Sequence, residues 1–423
     1  MSGKIAIVGA GLAGLACARA LTRAGREVCV LERSDGVGGR VRTDRVEGFL
    51  LDRGYQVLLD SYPEARAQLD FAALELHAYR PGALVRCEGA FHRVADPFRE
   101  LGQAWKSAFN PVGTLIDKLR VLELRKRALS GSLEELRQRH EQTSESVLRE
   151  IGFSDVMLER FFRPFLGGIF LRRDLANSSR MLDFVFRMMS LGRATLPAHG
   201  MGAIADQLAD GLSPGALRLG AEVTRVGARR VSLASGEQLE VEAVVVATEG
   251  DSAARLLALE RTPAALGVLN VYFAAPRSPV GGPDLVLNGE GPGDGPINVL
   301  SCPSDVAPLY APRGQALVSV QVLEFAGDDA ALEAALREQL ARWYGAAEVA
   351  QWRRLRVDRI RFAQPDQPPG ALEPAARPVR VAAGLYVCGD HRDDASIDGA
   401  LRSGRRAAQA LLADLSAAVP VRA

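Results

Sequence analysis

Hydrophobic and polar positions along the 423-residue chain alternate between short apolar runs and longer stretches with helical spacing. The run from Ile5 to Val8 is apolar throughout, which is typical of a buried strand. A stretch rich in Ala and Leu, from about Leu12 to Arg23, predicts a helix that Gly25 ends as a C-cap. The run from Glu27 to Leu31 predicts a second strand. Together these elements predict a βαβ unit of a mostly parallel sheet covered by helices.

The pattern changes several times after this opening. It predicts helices, then short strands, then strands mixed with turns, and it ends on one strand and one helix. In chain order these regions are Tyr62 to Met189 (helical), Leu217 to Val246 (strands), 262 to 325 (strands and turns), Asp328 to Trp343 (helix), Leu385 to Cys388 (strand) and Ser396 to Leu412 (helix).

Composition and charge exclude several classes of protein. The chain is 48% hydrophobic and 24% charged with a formal net charge of +1, so nothing indicates a nucleic-acid partner. No stretch reaches the roughly 18 apolar residues that predict a membrane span, and the N-terminus lacks the features of a signal peptide. The five cysteines stand far apart without metal-binding spacing. We therefore expect a cytoplasmic protein without a metal site.

A glycine-rich turn joins the first strand to the first helix. Gly9, Gly11 and Gly14 have the G-x-G-x-x-G spacing, which provides a tight turn, close backbone approach to a diphosphate and close packing of helix on strand. The diphosphate then lies at the helix N-terminus, where the dipole favours negative charge. Glu32 ends the second strand, where a carboxylate accepts hydrogen bonds from ribose hydroxyls and disfavours a 2′-phosphate. These residues predict a dinucleotide site that fits NADP poorly.

Two more glycines and an arginine follow the second strand, from Gly38 to Arg40, with Thr43 three residues later. Arg40 can serve as the counter-ion of the same diphosphate. This segment resembles the G-G-R-x-x-T continuation of the superfamily of flavin-containing amine oxidases and phytoene desaturases, which also includes protoporphyrinogen oxidases and renalase-like proteins. The turn containing Asp52 and Gly54 resembles the D-x-G turn of that superfamily, which lies close to the flavin.

Two distant segments extend the resemblance. Val223 stands in a segment similar to the one whose valine backbone contacts adenine in the superfamily. The pair Gly389 and Asp390 resembles the pair that binds the ribityl and phosphate region. The segment from Gly399 to Gly404 resembles the G-A-x-x-S-G motif of a helix directed at flavin N1 and C2, where negative charge develops on reduction.

The resemblance implies non-covalently bound FAD held by three separated segments. No second G-x-G-x-x-G follows a strand, so we expect electrons to leave to oxygen, a quinone or another soluble acceptor. The residues expected to bind FAD are Gly9, Gly11, Ala13, Gly14, Glu32, Arg33, Gly38, Gly39, Arg40, Thr43, Gly54, Tyr55, Gln56, Val223, Gly389, Asp390, Asp398, Gly399 and Ala400.

The predicted fold class is α/β, with a Rossmann-type FAD-binding domain and a discontinuous α+β substrate domain. The FAD-binding domain is expected to comprise residues 1–60, 200–260 and 376–423. The substrate domain is expected to comprise residues 61–199, mostly helical, and 261–375.

Residues of the expected substrate domain indicate which class of substrate the protein oxidises. Amine oxidases of the superfamily usually carry a lysine facing flavin N5 and an aromatic cage, but this chain has no lysine after Lys126, and its tryptophans lie outside the cage segments. The segments from Phe161 to Phe170 and from Pro197 to Met201 resemble the desaturase-like branch. We therefore expect hydride abstraction from an apolar C–H bond of an isoprenoid- or carotenoid-like molecule, with FAD as the electron sink.

Two alternatives stay open. The first is an amine or protoporphyrinogen-type oxidase with the same FAD site, and the second is a non-redox flavoprotein such as a polyene isomerase or an accessory flavin-binding protein. Arg163 and His391 are candidate catalytic residues. A basic amphipathic segment indicates either a solvated face or a peripheral contact with the inner face of the membrane, and it contains Trp105, Lys106, Phe109, Lys118, Arg120, Arg125 and Lys126.

Overall fold

The computed structural model describes residues 3–96, 99, 110–259, 264–371, 373–374 and 376–417. The strands within these ranges are Ile5–Val8 (β1), Val28–Leu31 (β2), Thr43–Val46 (β3), Phe49–Asp52 (β4), Leu58–Leu59 (β5), Leu76–Ala78 (β6), Gly82–Cys87 (β7), Ala90–Ala95 (β8), Ala194–Pro197 (β9), Leu217–Arg218 (β10), Val223–Gly227 (β11), Arg230–Leu233 (β12), Gln238–Glu240 (β13), Ala243–Val246 (β14), Ala265–Ala275 (β15), Leu285–Asn288 (β16), Val299–Ser301 (β17), Ala316–Val322 (β18), Arg353–Pro365 (β19), Arg380–Ala382 (β20) and Leu385–Val387 (β21).

The helices of the same ranges include one π-helical segment, Leu158–Phe162, between two α-helices. The α-helices are Leu12–Arg23 (α1), Pro63–Gln68 (α2), Phe71–Leu74 (α3), Leu115–Leu129 (α4), Leu133–Gln138 (α5), Ser144–Ile151 (α6), Asp155–Met157 (α7), Arg163–Phe170 (α8), Ser179–Leu191 (α9), Ala203–Ala209 (α10), Gly250–Leu257 (α11), Pro303–Val306 (α12), Asp329–Tyr344 (α13), Ala346–Val349 (α14) and Ile397–Ala417 (α15).

A six-stranded sheet brings three separated parts of the chain together. Its order is β10-β2-β1-β14-β21-β20, and every neighbouring pair is parallel except β20 and β21. In the register of β1, Ile5 stands opposite Val28 on one side and Ala243 on the other. Strands β1, β2 and β14 are buried along their whole length, as expected for a parallel sheet covered on both faces. The predicted α/β fold class with its Rossmann-type sheet is confirmed.

Helices α1 and α15 cover one face of this sheet and lie very close to each other. A Cβ at Gly404 would stand 2.1 Å from the carbonyl oxygen of Ala13, so only glycine permits this approach. The opposite face packs against the small antiparallel sheet β11-β12-β13, where Val231 and Leu233 join a core with Val8 and Val244. The two helices that begin at the glycine-rich motifs are thereby fixed relative to each other.

A seven-stranded sheet forms the second unit, in the order β19-β15-β18-β17-β16-β7-β8. All its pairs are antiparallel except β16 with β7. One face packs against α13, where Leu332 and Leu336 share a core with Val271 and Val320. The helices between residues 115 and 191 lie outside this sheet and belong to the largest core cluster.

The prediction that residues 61–199 are mostly helical missed the hairpin of β7 and β8. The side chains of β7 alternate between partly buried and buried, which is the period of a strand, but the segment is only six residues long. Of the basic segment, Trp105, Lys106 and Phe109 lie outside the described residues. The exact domain boundaries stay predictions.

None of the helices in the described part of the chain is both long enough and apolar enough to cross a membrane.

Candidate dinucleotide and substrate site

The turn between β1 and α1 contains three glycines with different surroundings. Gly9 has a φ of +106°, and a Cβ there would stand 2.9 Å from the carbonyl oxygen of Ala247. A Cβ at Gly14 would stand 2.0 Å from the carbonyl oxygen of Gly9. At Gly11, by contrast, a Cβ would meet no atom within 4 Å. The backbone at Gly11 therefore borders open space, which leaves room for a ligand to approach it.

The N-terminus of α1 is free to bind an anion. Gly11 is its N-cap and has no side chain to accept from the helix, and no acidic residue stands in the first turn. The backbone N–H groups of the first turn have no acceptor within the helix, and Gly11 beside them forms an isolated parallel bridge with Gly38. Unpaired N–H groups and the helix dipole together favour a phosphate at this position.

Glu32 follows β2 and holds the first turn in place. Its Oε2 accepts from the N–H of Ala10 at 2.8 Å, and its Oε1 accepts from the N–H and hydroxyl of Ser34 at 2.9 and 2.8 Å. The side chain is buried. A carboxylate has about four acceptor positions, so one is left for a ribose hydroxyl.

The second glycine turn lies against the first. The N–H of Gly38 donates to the carbonyl of Ala10 at 2.8 Å, and a Cβ at Gly38 would stand 2.2 Å from the carbonyl oxygen of Val41. Gly39 has a φ of +60°, and its Cβ position is 3.5 Å from the Cα of Gly11. Arg33, just before this turn, is exposed. The structure thus brings the predicted glycines of both motifs to one place.

Arg40 connects the start of the chain to its end. Its Nη2 lies 2.8 Å from Oδ2 of Asp390, and its Nη1 donates to the carbonyl of Ala363 at 2.9 Å. Burial lowers the pKa of the Arg40 guanidinium, but the ion pair with Asp390 outweighs burial and raises it overall. Gln56 donates to the carbonyl of Arg40 at 2.8 Å. Three predicted cofactor residues therefore form one contact group.

His391 lies next to this group and lacks a protein partner. It is only 3% exposed, yet neither ring nitrogen has a hydrogen-bond partner among the described residues. Burial lowers the pKa of His391 to about 4, so the imidazole is neutral near pH 7. A buried polar group without a partner is costly, which marks this position as one where a ligand or water binds. An adjacent cavity of about 300 Å³, including space open to solvent, is lined by Arg40, Glu249, Phe362, Gln364, Asp390 and His391.

The D-x-G turn is organised by the Asp52 carboxylate. It accepts from the hydroxyls of Thr43 and Tyr310 and from the N–H of Met201. Burial raises the pKa of Asp52 to about 6, although these hydrogen bonds act in the opposite direction. Thr43 also accepts from the N–H of Gly202. The Thr43 hydroxyl thus attaches the 197–202 turn to β3, and its expected contact with FAD stays a prediction.

Four tyrosines surround this turn, and the sequence did not single out three of them. Tyr55 and Tyr79 meet edge to face with ring centroids 6.5 Å apart. The Tyr272 hydroxyl donates to the carbonyl of Asp52 at 2.7 Å, beside the Tyr310 contact. Only Tyr55 stands in a recognised motif. The others come from distant strands and loops, so no local signal could have brought them together.

The tip of α15 contacts α2 through Asp398, and the expected contact of this residue with FAD stays a prediction. Oδ1 of Asp398 accepts from the N–H groups of Glu64 at 2.8 Å and Ala65 at 3.3 Å, so this carboxylate caps α2. A Cβ at Gly399 would stand 2.0 Å from the carbonyl oxygen of Asp394, which explains the glycine. Ala400 follows on the first turn of α15. Val223 begins β11 and pairs with Leu233 of β12.

A second cavity lies between α5, α9 and the loop that precedes α15. Its volume is about 330 Å³ including space open to solvent. Its walls combine apolar and charged side chains: Leu136, Arg137, Arg180, Met181, Phe184, Asp393, Asp394 and Arg402. Arg402 and Asp393 are ion-paired, whereas Arg137 is 3.9 Å from Asp394. A substrate in this cavity would contact both aliphatic surface and charge.

Arg163 is placed away from these groups. Its guanidinium donates to Glu159 at 2.7 Å, Glu145 at 2.9 Å and the carbonyl of Arg173 at 2.9 Å. All of its recorded partners belong to the helical region, so the structure assigns Arg163 an ion-pairing role there. A catalytic role of Arg163 stays a prediction.

Comparisons with known proteins decide the family. Residues 12–412 match the model of the flavin-containing amine oxidoreductase family. The chain belongs to this family. It is an FAD-dependent oxidoreductase, and its cofactor is FAD. The N-terminus of α1, the open space at Gly11 and the His391 ring, which lacks a partner in the described part of the chain, fit that cofactor.

Sequence relatives of this family have different substrates in their names. A putrescine oxidase of Kocuria rosea is 44% identical over 118 residues, which is 27% of this chain and 25% of that protein. A 4,4'-diapophytoene desaturase of Staphylococcus aureus is 39% identical over 56 residues, 13% of this chain and 11% of that protein. The matched parts thus span a quarter or less of these two relatives, and the substrate type does not follow from them.

Solved structures show the same fold over the whole chain. A putrescine oxidase double mutant aligns with a TM-score of 0.73 at 18% identity, covering 97% of this chain and 99% of that one. A protoporphyrinogen oxidase-like protein from Exiguobacterium aligns with a TM-score of 0.72 at 18% identity, covering 98% and 99%. At this identity the likeness concerns the fold alone.

Proposed function

We propose that this FAD-dependent oxidoreductase desaturates an apolar, isoprenoid- or carotenoid-like substrate. One observation carries the proposal: the four lysines stand at positions 4, 106, 118 and 126, so residues 265–365, which supply β15 to β19, contain none. The lysine that related amine oxidases place near the flavin therefore has no counterpart on these strands. Desaturation needs no such ammonium group.

Different residues of the chain would bind different parts of FAD. The N-terminus of α1 and Arg40 would hold the diphosphate of FAD, and the remaining acceptor position of Glu32 would bind a ribose hydroxyl. When bound, FAD supplies the electron sink for a hydride. We propose that FAD is held non-covalently, since no cysteine or histidine stands in an obvious attachment motif.

The cavity between α5 and α9 is our proposed substrate site. Leu136, Met181 and Phe184 supply an apolar wall. Asp393 and Asp394, in the loop that leads into α15, supply another part of the lining. Loss of a hydride and a proton from neighbouring carbons of a substrate held here would leave a C=C bond.

Amine oxidation is the second candidate, and a different observation favours it. Asp393 and Asp394 both line the same cavity, and a carboxylate is the natural partner of a substrate ammonium group. Asp393 is already paired with Arg402 and Arg406, which leaves Asp394 as the carboxylate for such a role.

A reduction assay separates the two candidates. The yellow protein is mixed anaerobically with a panel of polyenes and a panel of mono- and diamines, and the flavin absorbance is followed. Desaturation predicts bleaching by a polyene and a product with one more double bond by mass spectrometry. Bleaching by an amine alone would refute it. Amine oxidation further predicts that Asp394→Asn lowers the bleaching rate at subsaturating amine.

The electron acceptor belongs to the same proposal. We propose oxygen or a quinone, because the chain contains no second dinucleotide motif. Mixing the reduced protein with air-saturated buffer or with an anaerobic quinone, and timing the return of yellow colour, distinguishes these acceptors. Reoxidation by a nicotinamide dinucleotide but by neither of them would refute this part.

A further inference from the structure

Helix α4 presents a continuous apolar stripe to the outside of the protein. Leu115, Ile116, Leu119 and Leu122 have exposed fractions of 55%, 58%, 65% and 48%. They account for four of the ten exposed large hydrophobic residues in the described parts of the chain. Because Leu115, Leu119 and Leu122 are spaced i, i+4 and i+7, they lie on one face of the helix. Such a concentration of exposed apolar side chains marks an interaction surface.

The opposite face of α4 is firmly attached to the protein. Leu124 and Ala128 are fully buried, and the buried Asp117 carboxylate accepts from Thr114 and Ser154. Thr114 and Asp117 also form a capping box, which fixes the start of the helix. The apolar stripe therefore cannot turn inward without breaking these contacts.

The charge of α4 indicates what covers the stripe. The helix contains five basic and two acidic residues, and one of the two acids is the buried Asp117. Lys118 and Arg125, both half-buried, border the stripe on one side, and Lys118 also donates to the carbonyl of Asn110 at 3.2 Å. The exposed Lys126 continues this border. An apolar stripe with cationic borders complements a bilayer that contains anionic lipids, because its headgroups are negatively charged and its acyl chains are apolar.

We propose that α4 lies in the surface of an anionic bilayer and attaches the enzyme to it. The leucines enter the boundary between headgroups and acyl chains, and the basic side chains stay at the level of the lipid phosphates. The attachment goes beyond the oxidation chemistry and does not depend on which substrate is oxidised.

The position of α4 links the attachment to the substrate cavity. Arg127 of α4 is ion-paired with Asp183 of α9 at 2.8 Å, and Met181 and Phe184 of α9 line the cavity. The cavity is therefore one helix layer away from the proposed bilayer surface. A substrate dissolved in lipid would reach it over a short path.

Vesicle flotation of the FAD-loaded, full-length protein tests the inference. The vesicles contain either phosphatidylcholine alone or phosphatidylcholine with roughly 30 mol% phosphatidylglycerol. Binding is measured at low and at high salt. We expect flotation with the anionic vesicles, weaker flotation at high salt, and a roughly tenfold loss of partitioning for each of Leu119→Gln and Leu122→Gln.

Leu219→Gln is the matched control, because Leu219 is 45% exposed but lies beside β10, away from α4. It should float like the wild type. Each variant must retain the flavin absorbance of the wild type, which reports folding independently of membranes. The inference is overturned if the wild type stays unbound at low salt, or if Leu119→Gln and Leu122→Gln float as the control does. A dimer that these variants dissociate, without vesicle binding by the wild type, would assign the stripe to a second copy and also overturn it.

Discussion

Replacing Asp398 by Asn tests the most unusual carboxyl group of the candidate site. Asp398 is fully buried; its Oδ1 accepts from the N–H groups of Glu64 and Ala65, while its Oδ2 has no partner among the described residues. Asparagine has the same shape and retains the accepting oxygen, so the cap on α2 can persist. The substitution therefore removes the charge and little else.

The expected gain follows from the pKa of this group. Burial, followed by the negative charge of Asp394, raises the pKa of Asp398 from 3.8 to about 7. An acid whose pKa is raised on folding binds its proton more tightly in the native state, so its contribution to stability is complete below about pH 4 and is lost as pH rises through 7. A shift of about three units corresponds to about 4 kcal/mol. At pH 8 the wild type should therefore be less stable than Asp398→Asn by up to about that amount.

Denaturant unfolding of both proteins between pH 4.5 and 8.5, at saturating FAD, measures this difference. The gain of the variant should be small at pH 4.5, grow through pH 6 and level off near pH 8. Asp70→Asn is the control, because Asp70 also accepts from two backbone N–H groups, those of Ala72 and Ala73, but is exposed. Its difference from the wild type should stay within about 0.5 kcal/mol at every pH.

Two results would refute this reasoning. One is a difference between Asp398→Asn and the wild type that does not change with pH, and the other is a variant less stable than the wild type at pH 8. The FAD dissociation constant is measured in parallel. A large loss of FAD affinity in the variant would instead support the prediction from sequence that Asp398 contacts the cofactor.

Three further substitutions test the site. Gly11→Val should keep the far-UV circular dichroism of the wild type and lose FAD, because a Cβ at Gly11 would point into open space; equal FAD content in variant and wild type would contradict this. Gly14→Val should lower the free energy of unfolding by more than about 3 kcal/mol, because its side chain would overlap the Gly9 carbonyl. Arg163→Met should lower the free energy of unfolding by about 1 kcal/mol and change the rate of flavin reduction less than about twofold. A large decrease in that rate would instead support a catalytic role for Arg163. Burial lowers the pKa of His391 to about 4, so its neutral form contributes stability that is complete above pH 6.5 and is lost as pH falls toward 4. Between pH 6.5 and 4.5 the melting temperature of His391→Gln should therefore fall less than that of the wild type. Equal decreases in melting temperature would contradict this.

The sequence alone was sufficient to predict those features of the site that depend on neighbouring residues. Gly9 and Gly14 are required by the backbone path of a few neighbouring residues, so their spacing alone predicted the turn and the close packing now seen. Glu32 ends β2 beside that turn for the same reason. Whether these residues contact FAD stays a prediction, but their mutual geometry was predictable.

The sequence alone was insufficient to predict contacts in which distant segments share one hydrogen-bond network. Asp52 bonds with Thr43, Met201 and Tyr310, and its carbonyl accepts from Tyr272. More than 250 positions separate Asp52 from Tyr310 in the chain. No local pattern relates such residues, because their proximity results from the way the second unit packs on the first. The hydrogen bond from the Gly202 N–H to the Thr43 hydroxyl has the same origin.

The ion pair of Arg40 with Asp390 has a consequence for assembly. One residue follows β2 near the start of the chain, and the other follows β21 near its end, so neither can take its place until the six-stranded sheet is complete. The contact between Gly404 and Ala13 imposes the same condition on α1 and α15. A chain that lacks its last strand and helix would keep every glycine of the first motif and still leave Arg40 unpaired and α1 uncovered. Binding of FAD should therefore report the completed fold rather than the folding of the N-terminal βαβ unit alone.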